Sequence, residues 1–240
     1  MGRVTAALLL ALGGCAAHPE VRTTSDYAVE WRAAAASFER ANVVLHEGLL
    51  ADRATKLSAI VDAEDRLDDP LLLRLRGTTE EGAAHAEAAV KLAPDAVEGH
   101  LYLALNLAIY GLTRSHAAAL LEGLPGKIRA SYERAIAIDP LYAGGGAFRL
   151  KGKFLMSAPW PFRDYDEAGK ALQRANEIAE VRENDLFLGD LRFLEGKLDD
   201  AVAMWRRVAE VPVHPETEKI DDAVLKLARR RLDAAATSKE

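Results

Sequence analysis

From Asp26 onward, apolar and charged residues recur at the three-to-four-residue period of an α-helix. No stretch keeps the period of two that a half-buried strand needs, so the chain reads as all-α. Trp31, Ala34, Ala35, Phe38, Val44 or Leu45, and Leu49 form one apolar stripe and predict a long first helix over residues 27–52. A second stripe, Leu57, Ile60, Val61 and Leu67, ends at Asp68-Asp69-Pro70. Proline is accommodated in the first turn of the helix that follows, and the two aspartates suit its positive end. Thr78-Thr79-Glu80-Glu81 has the form of a capping box and predicts the start of a helix that stops at Ala93-Pro94. Leu101, Tyr102, Leu105, Leu107, Ala108 and Ile109 mark a helix over 96–110. Another is expected over 113–124, closed by Pro125-Gly126, and a further one over 127–138.

Over residues 128–180 the spacing becomes repetitive. Tyr132 and Ala135 precede Pro140, and Ala168, Leu172 and Ala175 restate a small–large–small pattern before Glu180. Small residues at helical offsets let antiparallel helices approach closely, while the large one fills the gap between neighbouring pairs. A tetratricopeptide (TPR) repeat of about 34 residues asks for Leu-Gly in its first helix, then Ala, an aromatic and Ala in its second, then Pro. Four passages fit: Gly82, Ala86, Ala89 and Pro94; Ile128, Tyr132, Ala135 and Pro140; Gly152, Ala168, Leu172 and Ala175; and Leu188-Gly189, Gly196, Ala201, Trp205 and Val208, with Pro212 beyond. Ala89, Ala135, Ala175 and Val208 lie 46, 40 and 33 residues apart, so the earlier repeats carry insertions. The expected fold over 26–240 is therefore a TPR-like helical-hairpin solenoid with irregular N-terminal repeats. A C-terminal helix over 216–235, with Val224, Leu225, Leu227 and Leu232 inward, caps it. An all-α bundle without repeats is the alternative.

The start of the chain adds a different kind of element. Arg3 precedes an apolar run over 4–12, far shorter than the about 20 residues a spanning helix needs. Leu12-Gly13-Gly14-Cys15 follows, and Cys15 is the only cysteine. Residues 1–14 read as an export signal ending in a lipobox, with Cys15 as the lipidated new N-terminus and 15–25 as lipidated cysteine and tether. The alternative is an ordinary secretory signal cut after Ala16 or Ala17. One acyl chain holds a protein only marginally, whereas several hold it on one leaflet. Removal of 1–14 takes away Arg3, so the net charge of −6 becomes −7. That balance speaks against nucleic acid or an anionic membrane surface as partner, and a lone cysteine excludes a disulfide framework. Ala16 rather than Asp after Cys15 points to the outer membrane, facing the periplasm, by the sorting habit of familiar lipoproteins.

Constellations for chemistry are sparse, and no enzyme activity is expected. The histidines His18, His46, His85, His100, His116 and His214 include no pair at i,i+4 and no His-Glu-x-x-His, so no metal site is expected. Glu64, Asp65, Asp68 and Asp69 lack a Gly-containing calcium loop and read as helix-end capping. Gly144-Gly145-Gly146 follows a helix, with no Lys-Ser/Thr behind it, and reads as close helix approach rather than a phosphate loop. No serine lies in Gly-x-Ser-x-Gly, and nothing calls for a cofactor. In Ser157-Ala158-Pro159-Trp160-Pro161-Phe162-Arg163-Asp164 two prolines stiffen a segment carrying two aromatics. It is either a binding lip or a plug for the gap that the insertion opens. Lys127, Arg129, Arg134, Arg149, Lys151 and Lys153 divide in the same way between anion binding and solvated helix faces. Repeat phase points Tyr102, Asn106, Tyr110 and Arg149 at a groove, with Trp160 and Phe162 beside it.

The run from Gly123 to Ala179, with its glycine-rich helix start and Pro-Trp-Pro insert before an aspartate-led helix, resembles the TPR-containing lipoproteins associated with TRAP transporters, the TatT component family. The lipobox extends the likeness. The resemblance implies a periplasm-facing helical protein, as a homotrimer in the family's manner, that docks a TRAP transporter solute-binding protein and encloses an apolar channel for a small ligand. It also implies Cys15 as the lipidation site. The rival reading is an envelope-assembly adaptor that grips peptide segments. An enclosed apolar channel favours ligand handling, whereas an open groove lined by Asn, Arg and Tyr favours peptide capture.

Overall fold

The computed structural model describes residues 25–211 and 218–237, and among these it is all-helical. The helices are α1 (Ser25–Ala51), α2 (Leu57–Val61), α3 (Asp69–Leu92), α4 (Val97–Leu112), α5 (His116–Leu121) and α6 (Leu124–Ile138). They continue with α7 (Tyr142–Ser157), α8 (Tyr165–Ile178), α9 (Arg182–Leu194), α10 (Leu198–Arg207) and α11 (Glu218–Thr237), and a 3₁₀ turn spans Ala63–Arg66. The export signal and Cys15 lie outside the described residues.

Four antiparallel hairpins stack in order: α1 with α3, α4 with α6, α7 with α8, and α9 with α10. The first helix of each hairpin also packs on that of the next, so α1, α4, α7 and α9 form an inner layer. The fold is thus a TPR-like helical-hairpin solenoid with irregular N-terminal repeats. The insertions sit inside the hairpins. They hold α2 and the 3₁₀ turn in the first, α5 in the second and the Pro-Trp-Pro loop in the third; the fourth hairpin turns tightly through Glu195–Lys197. Between hairpins the chain turns in three or four residues. There the carbonyls of Ala89, Ala135 and Ala175, all fully buried, accept from the amides of Ala93, Asp139 and Ala179. Alanine at these points leaves room for the next helix to cross.

Two glycines make the later hairpins close. A Cβ on Gly152 would lie 2.4 Å from Leu172 Cγ, and one on Gly189 would lie 2.4 Å from Trp205 Cδ1. Real contacts of that length do not occur, so the leucine and the indole occupy space that only glycine vacates. Gly144 and Gly145 serve differently. With Ala143 they hold φ of 58°, 72° and 51°, a left-handed turn that opens α7. Left-handed backbone costs about 1–2 kcal/mol per residue with a side chain, so only Ala143 is strained. The glycine-rich start therefore redirects the chain as well as admitting close approach to Ala175 and Ala179.

Two sequence expectations need correction. Thr78-Thr79-Glu80-Glu81 starts no helix, because α3 runs unbroken from its Asp68 cap. Leu75, Thr79, Gly82, Ala83 and Ala86 are all buried along one continuous face, and the Thr78 and Thr79 hydroxyls donate back to the carbonyls of Arg74 and Leu75. Burial of that face outweighs a local capping signal. Pro125-Gly126 does not close a helix either; it lies in the first turn of α6, while Gly123, at φ 67°, makes the break.

The C-terminal helix does more than cap. α11 packs on α9 and α10 and also on α1, so the inner layer closes into a ring of α1, α4, α7, α9 and α11. One apolar core joins both ends of the chain: Leu45 and Leu49 of α1, Ile60 of α2, Trp205 of α10, and Val224 and Leu227 of α11. Arginines lock the closure. Arg230 donates to the carbonyls of Leu49 (2.8 Å) and Asp52 (2.7 Å), capping the negative end of α1. Arg231 is paired with buried Asp190 of α9 through Nε (2.6 Å) and Nη2 (2.8 Å), and Asp190 also accepts from Trp205 Nε1 at 3.0 Å. Arg182 at the start of α9 donates to Val211 O and Asp221 O.

Candidate functional site

The ring surrounds a cavity of about 2060 Å³ that opens to solvent. Its wall comes mostly from the inner helices: Phe38, Leu45 and Leu49 of α1, Leu101, Leu105 and Ile109 of α4, Leu150 and Phe154 of α7, Leu186 and Phe187 of α9, Ile220 and Leu227 of α11. Ordinary small-molecule pockets hold about 300–1,000 Å³, so this space exceeds what one compact ligand fills.

The inner helices run in the same direction, as their pairings show. Tyr27 at the start of α1 bonds Glu98 at the start of α4 (2.8 Å), Arg182 at the start of α9 reaches Asp221 near the start of α11, and Arg230 meets the end of α1. The cavity therefore has two unlike rims. The rim at the helix starts carries Trp31, Arg32, Ala143, Arg182, Glu183 and Asp221. At the helix ends the insertions line it instead: Ile60, Val61, Glu64 and Leu67 from the first, Ser115, His116 and Leu120 from the second, Ala158 and Pro159 from the third.

Polar side chains in the wall are mostly engaged. Lys153 Nζ pairs with Glu64 Oε1 at 3.0 Å across the ring, and it also sits 5.3 Å over the Phe187 ring. Arg231 and Arg182 have the partners given above, and Arg114 pairs with Glu122. Burial pushes the Glu39 carboxyl above its ordinary range. Burial, with Glu39 and Glu98 nearby, pushes the Tyr102 phenol up to about 12. Burial likewise raises Asp62, with the neighbouring Asp65 charge adding to it.

The groove residues expected from repeat phase separate. Tyr102 and Arg149 line the cavity. Asn106 does not: it is fully buried between helices, donating from Nδ2 to Ala34 O (3.1 Å) and Tyr102 O (2.8 Å), where a Cβ on Gly82 would strike it. Tyr110 lies outside the wall, under the Arg114 guanidinium at 5.7 Å. Trp160 is 86% exposed and fills no gap, and Phe162 lies beside it, half-buried, in a turn closed by the Phe162 amide to Pro159 O. Leu121, 90% exposed, projects from the neighbouring insertion at the same rim.

The basic cluster also divides. Arg129 pairs with Glu133, Arg134 with Asp95 and Lys151 with Glu167, leaving Arg149 and Lys153 as its members in the wall. Asp68 caps α3 by accepting from Leu71 N at 2.9 Å, as its place before Pro70 implies. His46 bonds Asn42 O, His85 bonds Glu30 and His100 bonds Pro94 O; His18 and His214 lie outside the described residues. Among the described residues no group of three or more metal-ligating side chains assembles, and no helix is long and apolar enough to cross a membrane.

What sequence reading missed is the lining drawn from insertions and from α11. Ile60, Val61, Leu120 and Leu227 appear in the sequence as ordinary apolar positions. Only ring closure turns them toward a common space.

The geometry defines a class, a helical-repeat ring around a largely apolar cavity. No known sequence family and no curated protein matches the chain. Among solved structures it is similar to TTC0263, a thermophilic TPR protein of Thermus thermophilus, at 16% identity over 70% of this chain and 90% of that one, with a TM-score of 0.49. It is also similar to MamA, at 18% identity over 72% of this chain and 95% of that one, with a TM-score of 0.43. The assignment of the fold rests on the hairpins described above rather than on these likenesses.

Proposed function

We propose that this protein is a lipid-anchored helical-repeat scaffold of the bacterial envelope that holds an apolar ligand in its ring and passes it to or from a protein partner. The observation that carries the reading is the closed inner ring around a cavity lined by leucine, isoleucine and phenylalanine. Peptide capture would use polar wall groups such as Asn42, Tyr102 and Arg149; against it, Asn106 is sealed into helix packing and the wall is mainly apolar.

Chain length supports an orientation. Ten peptide units separate Cys15 from Ser25 and span at most about 36 Å. α1 has 27 residues, about 40 Å, and the insertions lie beyond its far end. A lipid on Cys15 therefore cannot reach a membrane on which the insertion rim lies flat. The exposed Leu121 and Trp160 at that rim then serve a protein partner, by family resemblance a TRAP transporter solute-binding protein, rather than the bilayer.

The test is to purify the protein from membranes under gentle conditions, extract bound small molecules for mass spectrometry, and identify co-purifying proteins. Apolar compounds in the extract and a transport-related binding protein are expected, with the binding protein lost from Trp160→Ala/Leu121→Ala preparations. Co-purifying peptides without small molecules would replace this reading with the adaptor. Cys15→Ser should release the protein from the membrane fraction.

A further inference from the structure

Of the cations in the cavity wall, Arg32 is exposed and lies over the Trp31 ring at 5.3 Å, whereas Arg149 is held away from solvent. Its side chain is 16% exposed, and among the described residues it makes no hydrogen bond. Nη1 is buried without a partner. Among the described residues the carboxylate within 4 Å of it is Glu183, with Nε–Oε2 at 3.9 Å, too long for a hydrogen bond. Arg182 and Arg231, in the same wall, direct their guanidinium groups at fixed carbonyls or a carboxylate.

An unmade bond to a buried charged donor is costly, and a guanidinium is built to take two oxygens of a planar acid side by side. Glu183 lies in the first turn of α9, where the helix's positive end already favours its charge, so it depends little on Arg149. From Arg149 toward the insertion rim the wall offers Leu150, Phe154, Phe187 and Leu105, and the Lys153 ammonium among them is paired with Glu64.

We infer that the ligand of this cavity is an amphiphile with an anionic oxygen-acid head, carboxylate or phosphate monoester, which Arg149 binds while the apolar body lies toward the insertion rim. The inference rests on the ligand-holding reading above and narrows it.

Titration with tetradecanoate, tetradecyl phosphate and tetradecan-1-ol against wild type, Arg149→Met and Arg149→Lys tests it, with circular dichroism and melting confirming the fold of each variant. The acids should bind wild type more tightly than the alcohol. Arg149→Met should weaken the acids by about tenfold or more, one lost charged hydrogen bond's worth, leaving the alcohol unchanged. Arg149→Lys should restore part of that loss. The tighter of the two acids identifies the head group. Equal binding of acids and alcohol, or an acid preference that survives in Arg149→Met, overturns the inference while the cavity reading stands. Failure of all three probes to bind overturns the cavity reading itself.

Discussion

The two halves of the solenoid use the same hairpin differently. In α7–α10 no extra helix interrupts a hairpin, only the Pro-Trp-Pro loop in the third and a tight turn in the fourth, and Gly152 and Gly189 let Leu172 and the indole of Trp205 press against backbone. In α1–α6 the hairpins are split by insertions, and these supply one rim of the cavity with Ile60, Val61, Leu67 and Leu120. The third hairpin adds only Ala158 and Pro159 from its loop, and the fourth none from its turn. The difference teaches that the regular repeats make the wall rigid and the irregular ones give the cavity its boundary. α11 joins the two halves.

That contrast can be broken most severely at Trp205. It is 1% exposed and touches Gly189, Phe193 and Asp190 at once. Trp205→Ala should cost about 3–5 kcal/mol, measured by urea unfolding. A loss below about 1 kcal/mol would show that the C-terminal hairpin is not the rigid half. Arg230→Ala tests the joint. It removes the cap on α1 and should cost about 1–3 kcal/mol, with hydrogen exchange rising at the end of α1 and in α2 but not in α7–α8. Unchanged exchange there would mean that apolar packing alone closes the ring.

The smallest effect on stability should come from replacing His116–Leu121 with a Gly-Ser linker. α5 contains no buried residue, so the loss should be about 1 kcal/mol or less. Its His116, Ala119 and Leu120 face the cavity, so release of a bound apolar probe in stopped flow should quicken severalfold. A large stability loss with unchanged release would reverse the roles assigned to wall and insertion.

Helix content, the four hairpins and the turns at Pro94 and Pro140 could be read from the chain, because they follow from local period and from small residues at fixed offsets. Gly189 and Trp205 were legible as repeat positions for the same reason, and the structure shows that the two positions meet. The Thr78–Glu81 signal misled because capping is a local preference, and burial against α1 and α4 exceeded it. Among groove candidates, repeat phase placed Tyr102 and Arg149 in the wall but did not separate them from Asn106. Phase says which side of a helix a residue occupies, and the depth of the neighbouring helix says whether it meets space or packing.

By itself, then, the sequence determined an all-α chain of hairpins, the places where helices approach closely, and that the earlier repeats carry insertions. Only the tertiary structure decided that the solenoid closes. Closure depends on contacts between α1 and α11, Arg230 with Leu49 and Asp52 above all, which lie 181 and 178 residues apart in the chain. No periodicity encodes such a pairing, since it depends on the small rotation added at each hairpin. The cavity and the position of Arg149 follow from that closure.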